Sequence, residues 1–229
     1  RPVTDFPPAE SAYHMSRRAL PKIDPSLDYQ TYLLTFEQLP DPWDNADIFG
    51  RQAPLEIDVG CGKGMFLQRA AKGHPDQNFL GIEVSGKYAR FAASKLARQE
   101  LANGRVIHGD AWRVFRERIP ADHITAVHVY FPDPWWKKRH RRRRVMNERF
   151  LGDVVRVLVP GGILHFWTDV EEYFQATLEL IADVTSLEGP IAVAEPEALH
   201  DMDYRTHFER RSRLEQLPVY RAQFRKVGS

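Results

Sequence analysis

A single cysteine, Cys61, in 229 residues excludes an internal disulfide and any multi-cysteine metal site. No apolar run approaches the ~20 residues needed to cross a bilayer, and no signal peptide is visible. Excess charge is missing too. The net charge is +1, so the chain as a whole is not a polycation. The nine histidines are scattered and form no convincing ligand set, so no metal site is expected. The chain opens on Arg1 rather than on methionine. With no leader or anchor in sight, a cytoplasmic location is the default expectation, and nothing chooses between a monomer and a homodimer.

What is present is a chain of ordinary hydrophobic content, 43%, long enough for one large domain with a sizeable core. Residues 1–28 hold five prolines and little apolar periodicity, and read as a flexible arm. Arg17 and Arg18 could help that arm reach an anionic partner. Residues 29–47 are rich in aromatics and turn formers, a segment expected to pack on the core. From Leu55 onward, strand and helix patterns alternate. Strands are expected at 55–59, 79–84, 105–108, 126–131 and 163–168, with helices at 65–72, 87–103, 146–158 and 170–182. Pro160-Gly161-Gly162 stops the third of these helices. Two late strands, 192–194 and 220–224, bring the total to seven, the last antiparallel at the edge. The pattern predicts an α/β fold with a doubly wound, mostly parallel, Rossmann-like sheet.

Asp58-Val-Gly60-Cys-Gly62-Lys-Gly64 lies between the first strand and its helix. Glycines there permit positive φ and let a ligand approach the backbone. A strict dinucleotide fingerprint needs glycine at position 65, where Met65 stands. Glu83 closes the second strand, the position from which an acid reaches ribose hydroxyls. Asp110, after the third strand, can reach the edge of an adenine. The loop has Glu56 and Asp58 but only one cation, Lys63, a poor cradle for a pyrophosphate. A cationic cofactor such as S-adenosylmethionine, with its sulfonium and ammonium, suits it better. Glu56 could equally face inward and satisfy backbone groups.

The run Phe131 to Arg144, FPDPWWKKRHRRRR, joins two chemistries. Asp133 sits between Pro132 and Pro134 with aromatics on either side, a stiff mount for a carboxylate beside stacking surfaces. Seven of the eight residues after Trp136 are Lys or Arg, so the rest of the chain carries a net −6. The positive field is local and suited to nucleic-acid phosphates. In open α/β sheets, ligands bind outside the carboxyl ends of the strands. Asp133 and Asp169 both follow strands and overhang the crevice of the glycine loop. Asp169 could also cap the following helix. Thr206-His207-Phe208-Glu209 reads by itself as a polar loop with a cap-like threonine and glutamate.

Together these motifs resemble the tRNA (guanine-N7-)-methyltransferases. The resemblance spans about residues 55–224. It rests on the glycine loop, GIEVS at 81–85, HGDA at 108–111, FPDPW-x-KKRH at 131–140, PGG-strand-TD at 160–169 and T-x-F-E at 206–209. It implies a class I methyltransferase fold over residues 29–229, with S-adenosylmethionine as cofactor and tRNA as partner, and with no membrane or metal requirement. It further implies that Glu56, Gly60, Gly62, Glu83, Asp110 and Asp133 line the cofactor site, with Asp133 also the catalytic carboxylate. Lys137, Asp169, Thr206, His207, Phe208 and Glu209 would contact the substrate. Arg139, His140, Arg141, Arg142, Arg143 and Arg144 would contact the RNA. Two positions depart from the family pattern: Trp136 stands for a proline and Ser212 for a glycine. The implied reaction is methylation of N7 of a guanosine at tRNA position 46, in the variable loop. Three rivals share parts of the pattern: an NAD-dependent oxidoreductase, a catalytically dead RNA-binding subunit, and an amino-methyltransferase. Met65 and the basic run oppose the first, and Glu83, Asp110 and Asp133 the second. KKRH with T-x-F-E opposes the third.

Overall fold

The computed structural model describes residues 20–135, 138–193, 206–215 and 217–228. Its strands are β1 (Leu33–Thr35), β2 (Leu55–Val59), β3 (Asn78–Glu83), β4 (Gly104–His108), β5 (Ile124–Tyr130), β6 (Leu158–Thr168), β7 (Leu187–Ala192) and β8 (Tyr220–Lys226). Its α-helices are α1 (Asn45–Phe49), α2 (Met65–Gly73), α3 (Gly86–Arg98), α4 (Ala111–Glu117), α5 (Glu148–Val157), α6 (Glu171–Val184) and α7 (His207–Leu214). All eight strands join one sheet in the order β1-β4-β3-β2-β5-β6-β8-β7.

The alternation of apolar runs with amphipathic helices dictates the layering. β3 is buried at every position, as a strand covered on both faces must be. One face packs Ile57, Val59, Leu80, Ile82, Val127 and Phe166 under α4, α5 and α6. The other packs Phe79, Val106, Tyr130 and Trp167 under α2 and α3. The pairs from β1 through β6 are parallel, and β8 runs antiparallel to both β6 and β7.

Several expectations are corrected. The sheet has eight strands rather than seven, because the three residues of β1 add to the edge beside β4. That run is too short to stand out by period. The last strand is antiparallel but not at the edge: β8 lies inside and β7 takes the edge. β7 starts at Leu187, ahead of the expected 192–194, and residue 194 lies outside the described residues. The Pro160-Gly161-Gly162 element does not end a helix. α5 stops at Val157, and β6 runs straight through the triplet, with Gly161 at φ +80° and a register shift opposite on β5. Helix α4 was not expected; Asp110 caps it by accepting from Trp112 N at 2.9 Å. Residues 1–19 of the proposed arm lie outside the described residues.

The position of the site follows from topology. Strand order runs outward from β2 through β3 and β4 in one direction, and from β5 through β6 in the other. Such a switch point opens a crevice outside the carboxyl ends of β2 and β5. Among the described residues, no helix is long and apolar enough to cross a membrane, and no cluster of His, Cys, Asp or Glu could hold a metal.

Candidate active site

The first lip of the crevice is the loop after β2. Gly60 and Gly62 hold φ of +73° and +54°. A Cβ added at Gly60 would meet nothing within 4 Å, and at Gly62 only the Gly60 carbonyl at 3.9 Å. Both therefore border open space, where a ligand can approach the backbone. Gly64 differs: its Cβ would stand 2.8 Å from that of Ala92, so glycine there serves the contact of α2 with α3. Glu83 ties the loop down. Its Oε2 accepts from Gly62 N at 2.9 Å and its Oε1 from Ser85 N at 2.8 Å. A carboxylate has about four lone-pair sites, so each oxygen keeps room for a further donor. Val84, next in sequence, is 75% exposed and offers an apolar surface at the same lip.

Beneath this loop lies Asp58, buried at 4% exposure. Burial first, and the nearby Glu83 charge second, push its carboxyl up to about 8. The same surroundings, burial foremost, raise the Cys61 thiol well above its usual range, so Cys61 is no nucleophile.

The second lip follows β5. Phe131 and Trp135 both take positive φ, +50° and +44°. For bulky residues this is an unfavoured conformation costing about 1–3 kcal/mol each, so surrounding contacts must impose it. Those contacts are present. Phe131 N donates to Trp167 O at 2.8 Å. Arg144 Nε donates to Pro134 O at 2.7 Å, and its guanidinium lies 4.4 Å over the Tyr173 ring. Arg143 lies 5.1 Å over the Trp135 ring, and His140 meets that ring edge-on at 5.9 Å. Asp133 is exposed at the tip of the loop.

Helix α7 forms the far wall. Thr206 caps it, its Oγ1 accepting from Glu209 N at 3.0 Å. Phe208, 55% exposed, stacks on Phe131 with ring centres 6.0 Å apart. Glu209 points inward, fully buried, 3.2 Å from Arg221 and 3.8 Å from Arg213. Arg221 in turn lies 4.9 Å over Trp167. Asp169 is half-buried at the end of β6. Burial raises its carboxyl, with the Arg211 charge acting against that. Val170, not Asp169, occupies the cap position of α6, so the capping alternative is corrected.

A family model described as "Putative methyltransferase" matches residues 52–222. A tRNA (guanine-N(7)-)-methyltransferase of Rhodopirellula baltica is 47% identical over 218 residues, covering 93% of this chain and 80% of that protein. One from Paraburkholderia xenovorans is 31% identical over 246 residues, covering 100% and 90%. This chain belongs to the tRNA (guanine-N7-)-methyltransferase family. The fold is shared more widely. An S-adenosylmethionine-dependent methyltransferase of Aquifex aeolicus superposes with a TM-score of 0.53 at 15% identity, covering 78% of this chain and 86% of that one. A 30S ribosomal A1408 methyltransferase from an uncultured bacterium gives 0.51 at 17%, covering 80% and 92%. At such identities the likeness concerns the fold alone.

Within the family frame, the structure brings Gly60, Gly62, Glu83, Asp110, Asp133, Asp169 and Phe208 to elements bordering one crevice. It does not bring Glu56 there. Glu56 Oε2 lies 2.7 Å from Nε2 of the buried His128, whose Nδ1 is 2.8 Å from the Tyr130 hydroxyl. Glu56 and His128 line a separate pocket of about 370 Å³ with Phe66, Arg69, His74, Phe79 and His165. The acid beneath the glycine loop is Asp58, two residues on. Its signal was present in the sequence as the residue two before the first glycine of the loop. The basic run is also divided. Arg144 holds the Pro134 carbonyl and His140 packs on Trp135, whereas Arg139 and Arg143 are exposed. Lys137 lies outside the described residues, as do the side chains of Arg141, Arg142 and His207. Ser212, where the resemblance leads us to expect a glycine, is buried in α7.

Proposed function

We propose that this protein transfers a methyl group from S-adenosylmethionine to N7 of a guanosine in tRNA, the variable-loop guanosine at tRNA position 46 being the expected target. The observation that carries the reading is Asp133, held on a strained loop across the switch-point crevice from the glycine loop. The residues fit the cofactor. Gly60 and Gly62 leave the loop backbone open, Glu83 retains acceptor capacity for ribose hydroxyls, and Val84 offers an apolar surface to a flat ring. Asp110 keeps one carboxylate oxygen beyond its cap bond for the adenine edge. Glu83 supplies negative charge for an ammonium and a sulfonium, and Asp58, protonated below about pH 8 in the ligand-free protein, adds its own charge when a bound cation draws off its proton. When bound, S-adenosylmethionine supplies an electrophilic methyl group.

N7 of guanine carries an in-plane lone pair, so no side chain has to remove a proton before attack. The protein's work is placement of N7 in line with the methyl group. Asp133 is an acceptor only, and guanine's donors are N1–H and N2–H, on the edge opposite N7. As N7 gains its methyl, the ring becomes cationic and those donors more acidic. A hydrogen bond to Asp133 therefore tightens in the transition state, which is what accelerates a reaction. Phe208, stacked on Phe131, gives the displaced base a face to lie on. The exposed Arg139 and Arg143 are the cations that this reading gives to the phosphates. A cytosolic location, where tRNA is found, belongs to the same proposal.

The deciding experiment is incubation of bulk unmodified tRNA with S-adenosylmethionine, with the product nucleoside identified by mass spectrometry. 7-Methylguanosine is expected. A methyl group on another atom, or none under single-turnover conditions, sinks the reading.

A further inference from the structure

The two helical layers that sandwich the sheet have opposite charge. α2 and α3 carry Arg69, Lys72, Lys87, Arg90, Lys95 and Arg98 and no Asp or Glu. On the other face, α6 carries Glu171, Glu172, Glu179 and Asp183 and no Lys or Arg. With a whole-chain charge of +1, this is segregation rather than excess.

The cations are ordered as well as numerous. Lys87, Phe91 and Lys95 follow one another at i,i+4 spacing and Arg98 extends the row, a stripe of ~16 Å at the helical rise. Arg69 and Lys72 make a parallel i,i+3 pair on α2. Lys95 Nζ lies 5.5 Å over the Phe91 ring. Burial, then the charges of Lys63, Arg69 and Arg98, hold Lys95 below the usual lysine range, so cations from the glycine loop and both helices converge on it. Asp24 of the leading segment is near enough to Arg98 to feel its charge. Through Lys63 the patch begins at the crevice itself.

We propose that the outer face of α2 and α3 is a second docking surface for the tRNA backbone, separate from the basic run after Asp133. This rests on the tRNA reading above. A partner protein would want an exposed apolar anchor, but Ala89, Ala92, Ala93 and Leu96 of α3 are buried against the sheet, and the half-buried Phe91 ring has the Lys95 ammonium over it. A small anion would want a pocket, whereas these cations are strung along helices. A helical arm of tRNA presents phosphates along just such a line. The acidic α6 layer repels the same polyanion, so the two faces orient the RNA with the crevice at the border.

The test compares tRNA affinity across a salt series for the wild type and three variants. Wild type is set against Lys72→Ala/Lys95→Ala/Arg98→Ala, and against a control with the same charge change elsewhere, Arg116→Ala/Arg149→Ala/Arg225→Ala. The first triple should weaken tRNA binding on the order of tenfold or more. Its slope of log K against log salt should shrink by roughly 0.7–0.9 for each phosphate no longer engaged. Cofactor affinity should stay at the wild-type value. The control should keep the wild-type slope, and the charge-preserving Lys72→Arg/Lys95→Arg/Arg98→Lys should retain most of the affinity. Parallel slopes in wild type and first triple, or equal weakening in both alanine triples, overturn the proposal, as does equal weakening in the charge-preserving form. Failure of the wild type to methylate tRNA would instead sink the functional reading. Methylation with undiminished binding by the first triple would sink this inference alone.

Discussion

The two lips of the crevice reach the same end by opposite means. The glycine lip takes positive φ at Gly60, Gly62 and Gly64, where it costs little, and Glu83 fixes it through two backbone bonds. The Asp133 lip takes positive φ at Phe131 and Trp135, where it is unfavourable, and needs Trp167, Arg144, Arg143 and His140 to hold it. The first is a receptacle that can adapt at small energetic cost. The second is held in place by its contacts, which accords with the proposal that it aims one carboxylate. Strain collected on one side of a site marks where placement matters most.

The largest effect should come from the aimed carboxylate. Asp133→Asn keeps shape but turns an acceptor-only group into a neutral amide. Single-turnover methylation should fall by about 10²–10³-fold, with thermal stability unchanged. Near-normal methylation would mean that the strained lip aims nothing, and the contrast between the lips would lose its functional sense.

Next is the brace. Arg144→Gln removes the bond to the Pro134 carbonyl and the packing over Tyr173. The methylation rate should drop by roughly tenfold through misplacement of Asp133, with Arg144→Lys intermediate. Because Arg144 braces the loop, the salt slope of tRNA binding should not change. A slope reduced by roughly 0.7–0.9 would identify Arg144 as a phosphate ligand and remove the main support of the second lip.

The first lip has its own test through Asp58. Its carboxyl is pushed up to about 8 by burial and the Glu83 charge. Between the unfolded value near 3.8 and about 8, the folded group is protonated while the unfolded one is ionised. The ligand-free protein therefore loses stability as pH rises through that window, and the loss levels off above it. A cationic cofactor favours the ionised carboxylate. Its affinity should climb by up to about tenfold per pH unit below pH 8 and flatten above, with proton release measurable by calorimetry in two buffers. Asp58→Asn should abolish the climb. A flat profile in the wild type would place the cofactor's cation elsewhere.

How far the sequence disclosed these arrangements depends on the range of the interactions. The parallel sheet was legible because each strand and helix announces itself within a dozen residues. So was the glycine lip, since glycine spacing and the acid ending β3 are local signals. What was not legible depends on distant partners. β1 has three residues and exists because β4 offers an edge. The triplet at Pro160 reads as a helix stop, yet pairing with β5 and β8 draws β6 through it. The basic run looks uniform in one dimension. Only folding shows that Arg144 turns back to Pro134 while Arg139 and Arg143 stay exposed. Glu209, a polar residue in a polar segment, is buried because Arg221, twelve residues on, receives it.

The smallest effect is the most discriminating between two neighbouring acids. Glu56 and Asp58 share a face of β2, yet only Asp58 lies close to Glu83 and the glycine loop. Glu56 is engaged by His128 at 2.7 Å, with the His165 ring stacked on that of His128 at 4.5 Å. Glu56→Gln should therefore leave cofactor affinity and methylation within about twofold of wild type. It should lower stability by about 1–3 kcal/mol, read from the denaturation midpoint, because a charge-assisted bond to a buried ring is weakened. Asp58→Asn should do the reverse. The amide avoids burying a charge, so stability holds or rises, while cofactor affinity above pH 8 falls by tenfold or more (~1.4 kcal/mol). If Glu56→Gln weakens the cofactor as much as Asp58→Asn does, the glycine lip extends to the bottom of β2. The pocket around His128 would then belong to the cofactor site.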